Sequence, residues 1–322
     1  MAADARAGFS QSVTSQVLVL TGPTGTGKTD WAAQLAETLP VEIVSVDSAL
    51  VYRGLDIGTA KPPRELLQRI PHHLIDICDA AESYSAGRFV SDAVALIESI
   101  QGRNRIPLLV GGTMLYLRAL SRGIAPMPQV SPDLRRSIDE HAQREGWGAV
   151  HAELARLDPE AARRIHPNDP QRIQRALEVC YTTGRPMSEM HRSTRSPLGA
   201  MPVHSWALVP ANRDTLNARL EQRFHHMMEA GFLDEVAALH ARADLTPAHP
   251  AVRAVGYRQL WSHFEGEFPL AEAVRRGITA TRQLAKRQMT WIRSEHGLTW
   301  IDPHADGAFE TFRAEVSKCL VR

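Results

Sequence analysis

Residues 16–29, QVLVLTGPTGTGKT, place a glycine-rich loop directly after a run of apolar residues. The run from Gln16 to Leu20 predicts a buried strand, and the residues from Asp30 to Thr38 predict a helix. Between them, Gly22 to Thr29 fit the pattern G-x-x-x-x-G-K-[ST], in which successive backbone N–H groups turn inward and cradle phosphate groups at a helix N-terminus. A strand, a phosphate loop and a helix in this order predict an α/β fold built on a parallel sheet, similar to that of P-loop NTPases.

The loop carries two side chains suited to phosphate chemistry. Lys28 is predicted to reach the terminal phosphates, and the hydroxyl group of Thr29 to ligate Mg²⁺. The same two residues would serve a kinase or another NTPase equally well. The loop alone therefore does not reveal which phosphate compound it holds.

Composition limits the class of protein. With 322 residues, of which 43% are hydrophobic and 23% charged, the chain is long enough for one large core and an appended module. The formal net charge of +1 supports no argument from overall charge, so a polyanionic partner would have to meet a local basic face.

Cysteine usage and hydropathy give further limits. The three cysteines lie far apart and form no C-x-x-C pair, so neither a disulfide framework nor a thiolate zinc site is expected, and a reducing cytoplasm fits. No run of 18 apolar residues occurs, and we expect neither a signal peptide nor a membrane span. Residues 1–12 are predicted to be disordered.

Two further strands are predicted to end in polar residues. The apolar run from Val41 to Val46 ends at Asp47, and the run from Ile106 to Val110 is followed by Gly111, Gly112 and Thr113. Because ligands bind beyond the carboxyl ends of parallel strands, Asp47 and Thr113 are expected to face the phosphate loop. Asp47 could instead be the ribose-binding acid of a dinucleotide fold, although such folds lack the Lys-Thr ending of this loop. Thr113 could equally be a helix N-cap.

The segment that follows Asp47 offers weaker signals. Residues 52–63, YRGLDIGTAKPP, are rich in turn formers and are predicted to form a loop over the phosphate face, carrying Arg53, Asp56 and Lys61. The adjacent histidines His72 and His73 receive no role. The apolar run at 74–77, LIDI, is a candidate strand.

Composition changes at a proline-rich linker, residues 123–132, after which the chain to about residue 195 is polar and helical without a strand candidate. This predicts an inserted helical module. Asp169 and Pro170 are expected to start one of its helices, which carries Arg172 and Arg175 on neighbouring faces. A merely solvated face remains an alternative for this helix. Residues 203–209 are predicted to return to the sheet as a strand.

A basic stripe is predicted near the end of the chain. In a helix spanning residues 271–295, four cations fall within about 20° of one line at 100° per residue: Arg275, Arg282, Lys286 and Arg293. Because the helix lacks the compensating acids that a salt-bridged face normally interleaves, we interpret the stripe as a surface for a phosphodiester backbone rather than as a solvated face. An earlier helix is predicted at residues 214–230. Arg213 precedes it, and it contains Arg219 and Arg223. The sequence pattern alone does not show which of these arginines contacts a phosphate.

Taken together, these segments resemble the bacterial tRNA dimethylallyltransferases, the IPP transferase family. The resemblance lies in GPTGTGKT (22–29), SVDSALVYRGLDIGTAKP (45–62), LLVGGTMLYLRAL (108–120), IHPNDPQRIQRALEV (165–179), VGYRQLW (255–261) and RQLAKRQMTWIR (282–293). It implies a P-loop NTPase-like core at 13–124 and 203–322, with an all-helical tRNA-binding domain inserted at 125–202. It also implies transfer of a dimethylallyl group to the exocyclic amine of the adenosine 3′-adjacent to the tRNA anticodon, by a cytoplasmic monomer.

The resemblance also implies roles for individual residues. Asp47 would be the general base, Thr113 would orient the adenine and the prenyl donor, and Arg223 would contact the diphosphate. The diphosphate of dimethylallyl diphosphate, with Mg²⁺ on Thr29, would occupy Gly22, Pro23, Thr24, Gly25, Thr26, Gly27, Lys28 and Thr29. The tRNA-contacting positions would be Asp47, Ser48, Ala49, Leu50, Arg135, Gln171, Arg172, Ile173, Gln174, Arg175, Arg253, Ala254, Val255, Gly256, Tyr257, Arg258, Lys286, Arg287, Gln288, Met289, Thr290, Trp291, Ile292 and Arg293.

Three other functions stay open at the level of the sequence. A small-molecule kinase or NTPase would use the same loop. A prenyltransferase acting on free adenine nucleotide would need no basic stripe. A noncatalytic RNA-binding module would need no base at Asp47.

Overall fold

Six parallel strands form one sheet in the computed structural model, which describes residues 15–125, 130–192 and 194–320. The strand order is β3-β2-β4-β1-β5-β6, and every neighbouring pair is parallel. The strands are β1 (Val17–Thr21), β2 (Val41–Ser45), β3 (His72–His73), β4 (Ile106–Gly111), β5 (Val203–Leu208) and β6 (Leu298–Ile301). The predicted α/β fold with a parallel sheet is confirmed. The predicted disordered leader, residues 1–12, lies outside the described residues.

The chain divides into two compact units. The first contains Met1–Leu117 and Ala200–Arg322, and the second contains Arg118–Gly199. The helices of the first unit are α1 (Lys28–Thr38), α2 (Arg64–Arg69), α3 (Ala86–Gly102), α4 (Met114–Arg122, which runs into the second unit), α9 (Arg213–Glu229), α10 (Phe232–His240), α11 (Tyr257–Phe264), α12 (Leu270–Arg293) and α13 (Ala308–Leu320). Those of the second are α5 (Pro132–Leu157), α6 (Pro159–Arg164), α7 (Pro170–Thr183) and α8 (Met187–Arg192).

The central strands read as continuous apolar runs because the sheet is covered on both faces. Every residue of β1, β2 and β4 is buried. On one face, Trp31 of α1 and Phe312 of α13 pack over the sheet, with ring centroids 5.4 Å apart. On the other, Met114 and Ile292 form a smaller cluster with Ala207 of β5. This burial on both faces fixes where each strand ends and therefore where the loops of the sheet edge begin.

One strand prediction is wrong. The run at 74–77 is not a strand. The edge strand is formed instead by His72 and His73, which pair with Ile43 and Val44 of β2, respectively. Leu74 and Asp76 have φ values of 62° and 56°, which no extended strand accommodates. His73 belongs to a polar contact with the buried Glu42, which accepts a hydrogen bond from its Nε2 atom at 2.8 Å.

In the second unit, the described residues at 132–192 are helical and contain no strand, as predicted. Helix α7 begins as expected: the Asp169 side chain caps it by accepting a hydrogen bond from the Arg172 N–H at 3.2 Å, and Pro170 is its first residue. Helix α5 is interrupted at Gly146, whose φ of 82° and ψ of 158° are not helical. Ile138, Leu154 and Ile173 are among the residues that form the core between α5 and α7.

No helix among the described residues is both long and apolar enough to cross a lipid bilayer.

A buried carboxylate joins two arginines of the second unit. Glu178 is 1% exposed and accepts hydrogen bonds from Arg135 Nε at 2.8 Å and from Arg175 Nη1 at 3.0 Å. Burial by itself would raise the pKa of Glu178, but the hydrogen bonds and charges of Arg135 and Arg175 outweigh it and lower that pKa below its usual value. The ionised carboxylate is therefore part of the folded state of this unit.

We expect Glu178→Gln to lower the free energy of unfolding at pH 7 by about 1–3 kcal/mol, because two arginines then lose a charged acceptor that is already desolvated. A carboxyl with a lowered pKa stabilises the fold above its unfolded pKa, and this stabilisation is lost as pH falls through the folded value. The difference between variant and parent should therefore shrink below about pH 4. Urea unfolding of the full chain at several pH values measures it, and a difference that stayed constant into strong acid would contradict the ionic explanation.

Candidate functional site

The sheet order brings three loops to one edge. Strands β2, β4 and β1 are neighbours, and their carboxyl ends lead respectively into Asp47, Thr113 and the phosphate loop, Gly22 to Thr29. Since the strands are parallel, all three loops leave from the same edge of the sheet. The predicted convergence of Asp47 and Thr113 on the phosphate loop is thus a result of strand order.

The phosphate loop is held in shape by its own carbonyl groups. The Pro23 carbonyl accepts hydrogen bonds from Thr26 Oγ1 at 2.9 Å and from Lys28 Nζ at 2.8 Å. Gly25 has a φ of 83°, and a Cβ atom there would lie 2.7 Å from Cδ2 of Leu220 on α9. A side chain at position 25 would therefore be strained by its backbone and would collide with α9.

Three cations, Lys28, Arg219 and Arg223, share this edge with the carboxylates of Asp30 and Asp47. Burial lowers the pKa of Lys28 from its ordinary 10.5 to about 8; the charge of Asp47 opposes this shift and that of Arg223 adds to it. Burial likewise lowers the pKa of Arg223, again against the charge of Asp47. The site thus concentrates positive charge in a partly dehydrated place, which favours an anionic ligand.

Asp47 and Thr113 are both anchored by backbone groups. Asp47 Oδ1 accepts hydrogen bonds from the N–H groups of Ala49 at 2.8 Å and Leu50 at 3.4 Å. Thr113 Oγ1 accepts one from the Ser48 N–H at 3.1 Å. Asp47 Oδ2 has no hydrogen-bond partner among the described residues. One carboxylate oxygen of Asp47 is therefore structural, and the other is available.

An open cavity of about 540 Å³ lies against the loop and includes Lys28, Thr29, Asp47 and Arg223 in its wall. Helix α9 presents Arg219, Arg223 and His226 to it, residues spaced along one helix face. The sequence pattern did not choose among the arginines of this helix, whereas the structure places Arg219 and Arg223 beside the phosphate loop. Arg219 Nη1 also lies 3.0 Å from Nε2 of His304, so Arg223 has the fewer competing contacts.

A second cavity of about 110 Å³ adjoins the same residues and has several apolar side chains in its wall. Asp47 and Arg223 contribute to its wall together with Leu220, Phe224 and Leu284. It could therefore take a small hydrocarbon group next to a bound anion.

The oxygen donors at the cavity suit a hard cation only in part. The Thr29 hydroxyl and the carboxylates of Asp30 and Asp47 line the larger cavity. Such oxygens are the ligands Mg²⁺ prefers. Within residues 15–125, 130–192 and 194–320, however, no three His, Cys, Asp or Glu side chains are grouped closely enough to hold a metal ion. Mg²⁺ would fit here if a ligand supplied further oxygens, as phosphates do.

The loop at 52–63 is fixed by a glutamate that the sequence analysis did not identify. Glu235 of α10 accepts hydrogen bonds from the backbone N–H groups of Asp56 at 2.9 Å, Ile57 at 2.7 Å and Gly58 at 3.0 Å, and from the Tyr257 hydroxyl. Three of its four partners are backbone N–H groups far away in sequence, so no residue pattern signals it. Thr59 and Lys61 of this loop line the cavity, which confirms that the loop covers the phosphate face.

Helix α12 carries the predicted basic stripe, but the statement that it lacks compensating acids is wrong for two of the four cations. Arg275 pairs with Glu272 at 2.7 Å, and Arg282 pairs with Glu221 of α9 at 2.6 Å. Glu272 lies in the first turn, where acids favour the helix dipole, and Glu221 comes from a neighbouring helix. Lys286 and Arg293 are exposed and form no ion pair with a described residue.

Exposure separates the predicted tRNA-contacting positions into three groups. Four of them are buried: Ile173, Gly256, Tyr257 and Ile292. Ten are exposed: Ser48, Arg135, Gln171, Arg172, Arg253, Arg258, Lys286, Arg287, Thr290 and Arg293. The other ten are half-buried, so the exposed set offers the most side-chain surface to an RNA.

Gln288 of α12 faces inward. Its Oε1 atom accepts a hydrogen bond from the Thr24 N–H at 2.9 Å, and its Nε2 atom donates one to the Gly112 carbonyl at 3.0 Å. The family resemblance implies that this residue contacts tRNA. In the structure its amide is engaged with the phosphate loop and with the end of β4.

Comparison with known proteins places this architecture. Residues 50–295 match the family model described as IPP transferase, and residues 15–84 match one described as isopentenyl transferase. The tRNA dimethylallyltransferase of Alkalilimnicola ehrlichii is 55% identical over 91% of this chain and 92% of its own, and that of Methylococcus capsulatus is 53% identical over 93% and 96%.

Solved structures agree. The full-length tRNA isopentenylpyrophosphate transferase of Bacillus halodurans is 34% identical with a TM-score of 0.69, covering 95% of this chain and 97% of its own. A eukaryotic dimethylallyltransferase described as acting on tRNA is 29% identical with a TM-score of 0.78, covering 93% and 77%. By the length of the family match and the identity to these relatives, the chain belongs to the IPP transferase family.

Proposed function

We propose that this protein transfers a dimethylallyl group from dimethylallyl diphosphate to the exocyclic amine of the adenosine 3′-adjacent to the anticodon of tRNA, releasing diphosphate. The observation that carries the proposal is the meeting of the phosphate loop, Asp47 and Thr113 at adjacent strand ends in a chain of this family. The names of its relatives support the same reaction. We further propose that it acts as a cytoplasmic monomer, with which its free cysteines, Cys78, Cys180 and Cys319, are consistent.

Asp47 is proposed as the general base. The adenine amine is a poor nucleophile because its lone pair is delocalised into the ring, so a positioned carboxylate that accepts its proton as the C–N bond forms is worth roughly 10²–10⁴-fold. Asp47 Oδ1 is held by two backbone N–H groups, which leaves Oδ2 to take that proton. Thr113, bonded to the Ser48 N–H, would orient the adenine and the donor beside it.

The cations of the site are proposed to stabilise the leaving group. As the allylic carbon separates from oxygen, negative charge accumulates on the diphosphate, and Lys28 and Arg223 line the cavity that would hold it. These groups are fixed before the reaction, so little reorganisation is needed. The smaller cavity, with Leu220, Phe224 and Leu284, would hold the five-carbon group and keep water from the cationic carbon.

Mg²⁺ is proposed to bind together with the donor, held by the Thr29 hydroxyl and by diphosphate oxygens. When bound, it would neutralise charge on the departing diphosphate. Thr29 is the second residue of α1, which begins at Lys28, and it lies where the phosphate loop joins that helix.

The tRNA is proposed to contact exposed cations in each unit separately. In the first unit these are Arg253 and Arg258 together with Lys286, Arg287 and Arg293. In the second unit they are Arg135 and Arg172, and the half-buried Arg175 lies close by, since Glu178 binds both Arg135 and Arg175. Cations of this kind hold the backbone, while the target base is extruded from the loop into the site.

The reaction is tested directly by mass spectrometry. We expect incubation with unmodified tRNA, Mg²⁺ and dimethylallyl diphosphate to yield, after digestion, an adenosine heavier by one prenyl unit. Asp47→Asn keeps the acceptor for the Ala49 N–H but not the base, so transfer should fall by roughly 10²–10⁴-fold while tRNA binding is retained. No prenylated adenosine from the parent protein, or turnover of ATP in its place, would overturn the assignment, and normal transfer by the variant would overturn the role of Asp47.

The lowered pKa of Lys28 predicts a pH dependence of anion binding. Below pH 8 the ammonium is charged and binds diphosphate; as pH rises through about 8 the free protein loses this charge. Affinity for inorganic pyrophosphate should then fall with pH and binding should take up a proton, since the bound anion raises the pKa of Lys28 again.

Calorimetry in buffers of different ionisation heat measures that proton uptake. Lys28→Arg is the matched control because arginine keeps the cation and does not titrate in this range. Protonation of pyrophosphate itself contributes to the proton uptake measured with both proteins. The difference in proton uptake between them therefore reports the titration of Lys28. Equal proton uptake by both would show that Lys28 does not titrate near pH 8.

We predict that Lys286 and Arg293, which form no ion pair with a described residue, bind RNA. Arg275, at the beginning of the stripe, is paired with Glu272 and is not expected to bind it. Lys286→Glu with Arg293→Glu should weaken tRNA binding and reduce its dependence on salt, because each lost phosphate contact lowers the slope by about 1. Arg275→Glu with Arg276→Glu changes the net charge equally on the same helix, at residues already paired with Glu272. Filter binding over a range of salt concentrations separates the two, and equal losses in both double variants would contradict a local contact.

A further inference from the structure

The Gln288 side chain of α12 hydrogen-bonds both to the phosphate loop and to the end of β4. The Thr24 N–H and the Gly112 carbonyl lie 264 and 176 residues away from it in sequence. Both distances, 2.9 Å and 3.0 Å, are those of well-formed hydrogen bonds. The amide group thus satisfies one donor and one acceptor of two separate loops at the sheet edge.

Gly112 is shaped to receive this contact. A Cβ atom at position 112 would lie 2.3 Å from Nε2 of Gln288, closer than any side chain can approach. The glycine after β4 therefore lets the amide reach the backbone. Its neighbour Thr113 is the residue proposed above to orient the substrates.

The contact to Thr24 fixes the loop where its internal bonds do not. The Pro23 carbonyl is held by Thr26 and Lys28, within the loop itself. The next peptide N–H, that of Thr24, is held from outside the loop by Gln288. A shift of α12 would therefore change the conformation of the phosphate loop at Pro23 and Thr24.

The outer side of the same helical turn is exposed and basic. Lys286, Arg287 and Thr290 lie within two residues of Gln288 and are exposed, and the two cations form no ion pair with a described residue. A helix moves as a rigid body over so short a distance. A force applied to its outer side is transmitted to the Gln288 amide.

We propose that Gln288 is a positioning residue that couples the RNA-facing side of α12 to the phosphate loop, so that bound tRNA tightens the binding of the diphosphate. This inference rests on the proposed function. Coupling of this kind is reciprocal: the factor by which tRNA raises the affinity for diphosphate equals the factor by which diphosphate raises the affinity for tRNA. Typical couplings are about 5–150-fold, and we expect the parent protein to show at least about fivefold.

The test measures that factor without requiring turnover. The dissociation constant of inorganic pyrophosphate is determined with Mg²⁺, in the absence and in the presence of a saturating tRNA transcript that carries adenosine 3′ to the anticodon. Gln288→Met removes both hydrogen bonds at nearly the same side-chain length. Gly112→Ala attacks the same contact from the other partner. Gln283→Met is the control, since Gln283 is an exposed glutamine on the same helix.

We expect the coupling factor to fall to within about twofold of one in Gln288→Met and Gly112→Ala, and to stay at the parental value in Gln283→Met. A purely structural role would lower the unfolding temperature and both affinities but leave the factor unchanged, because the factor is a ratio within one protein. An unchanged factor in Gln288→Met, or a parental factor of one, would overturn the proposal.

Failure of the proposed function would look different. If no prenyl group were transferred by the parent protein, pyrophosphate and tRNA could still be titrated and the factor still measured. A parent that transfers the prenyl group with a factor of one would refute the role of Gln288 alone.

Discussion

The order of three parallel strands, β2-β4-β1, is the constraint on which the site depends. Their shared direction sends Asp47, Thr113 and the phosphate loop from one edge, and burial on both faces fixes where each strand ends. Strand order thus brings the three loops together, and the Ser48–Thr113 hydrogen bond and the two hydrogen bonds of Gln288 hold them in place. The helices that follow add cations to the site.

Those cations are tolerated because opposite charge is close by. Lys28 and Arg223 lose hydration where they lie, and the carboxylate of Asp47 offsets part of that loss for each of them. The balance is incomplete and leaves an excess of positive charge that an anionic ligand would complete. These residues are therefore more favourably placed when an anion is bound than when none is bound. This is expected of a site that stabilises an anionic leaving group.

Much of this was predictable from sequence. Strands β1, β2, β4 and β5, the phosphate loop and the start of α7 at Asp169 follow from local patterns of apolar residues, glycines and caps. The edge strand was missed because the positive φ values of Leu74 and Asp76 leave no mark in composition. The stripe was read as lacking acids because Glu221, the partner of Arg282, belongs to another helix. Glu235 and Gln288 bind backbone atoms of distant segments, and such contacts are set by tertiary packing alone.

The hold of Glu235 on the loop at 56–58 has a consequence for how this region can vary. One carboxylate gathers three backbone N–H groups, so the path of the loop depends on peptide groups that every amino acid except proline provides. The side chains at 56 and 57 take no part in this hold, although Ile57 lines the cavity and Asp56 pairs with Lys61. The anchor is one residue on another helix, Glu235 of α10. The backbone conformation of the loop therefore depends on position 235, and exposed side chains of the loop can be replaced without changing that conformation.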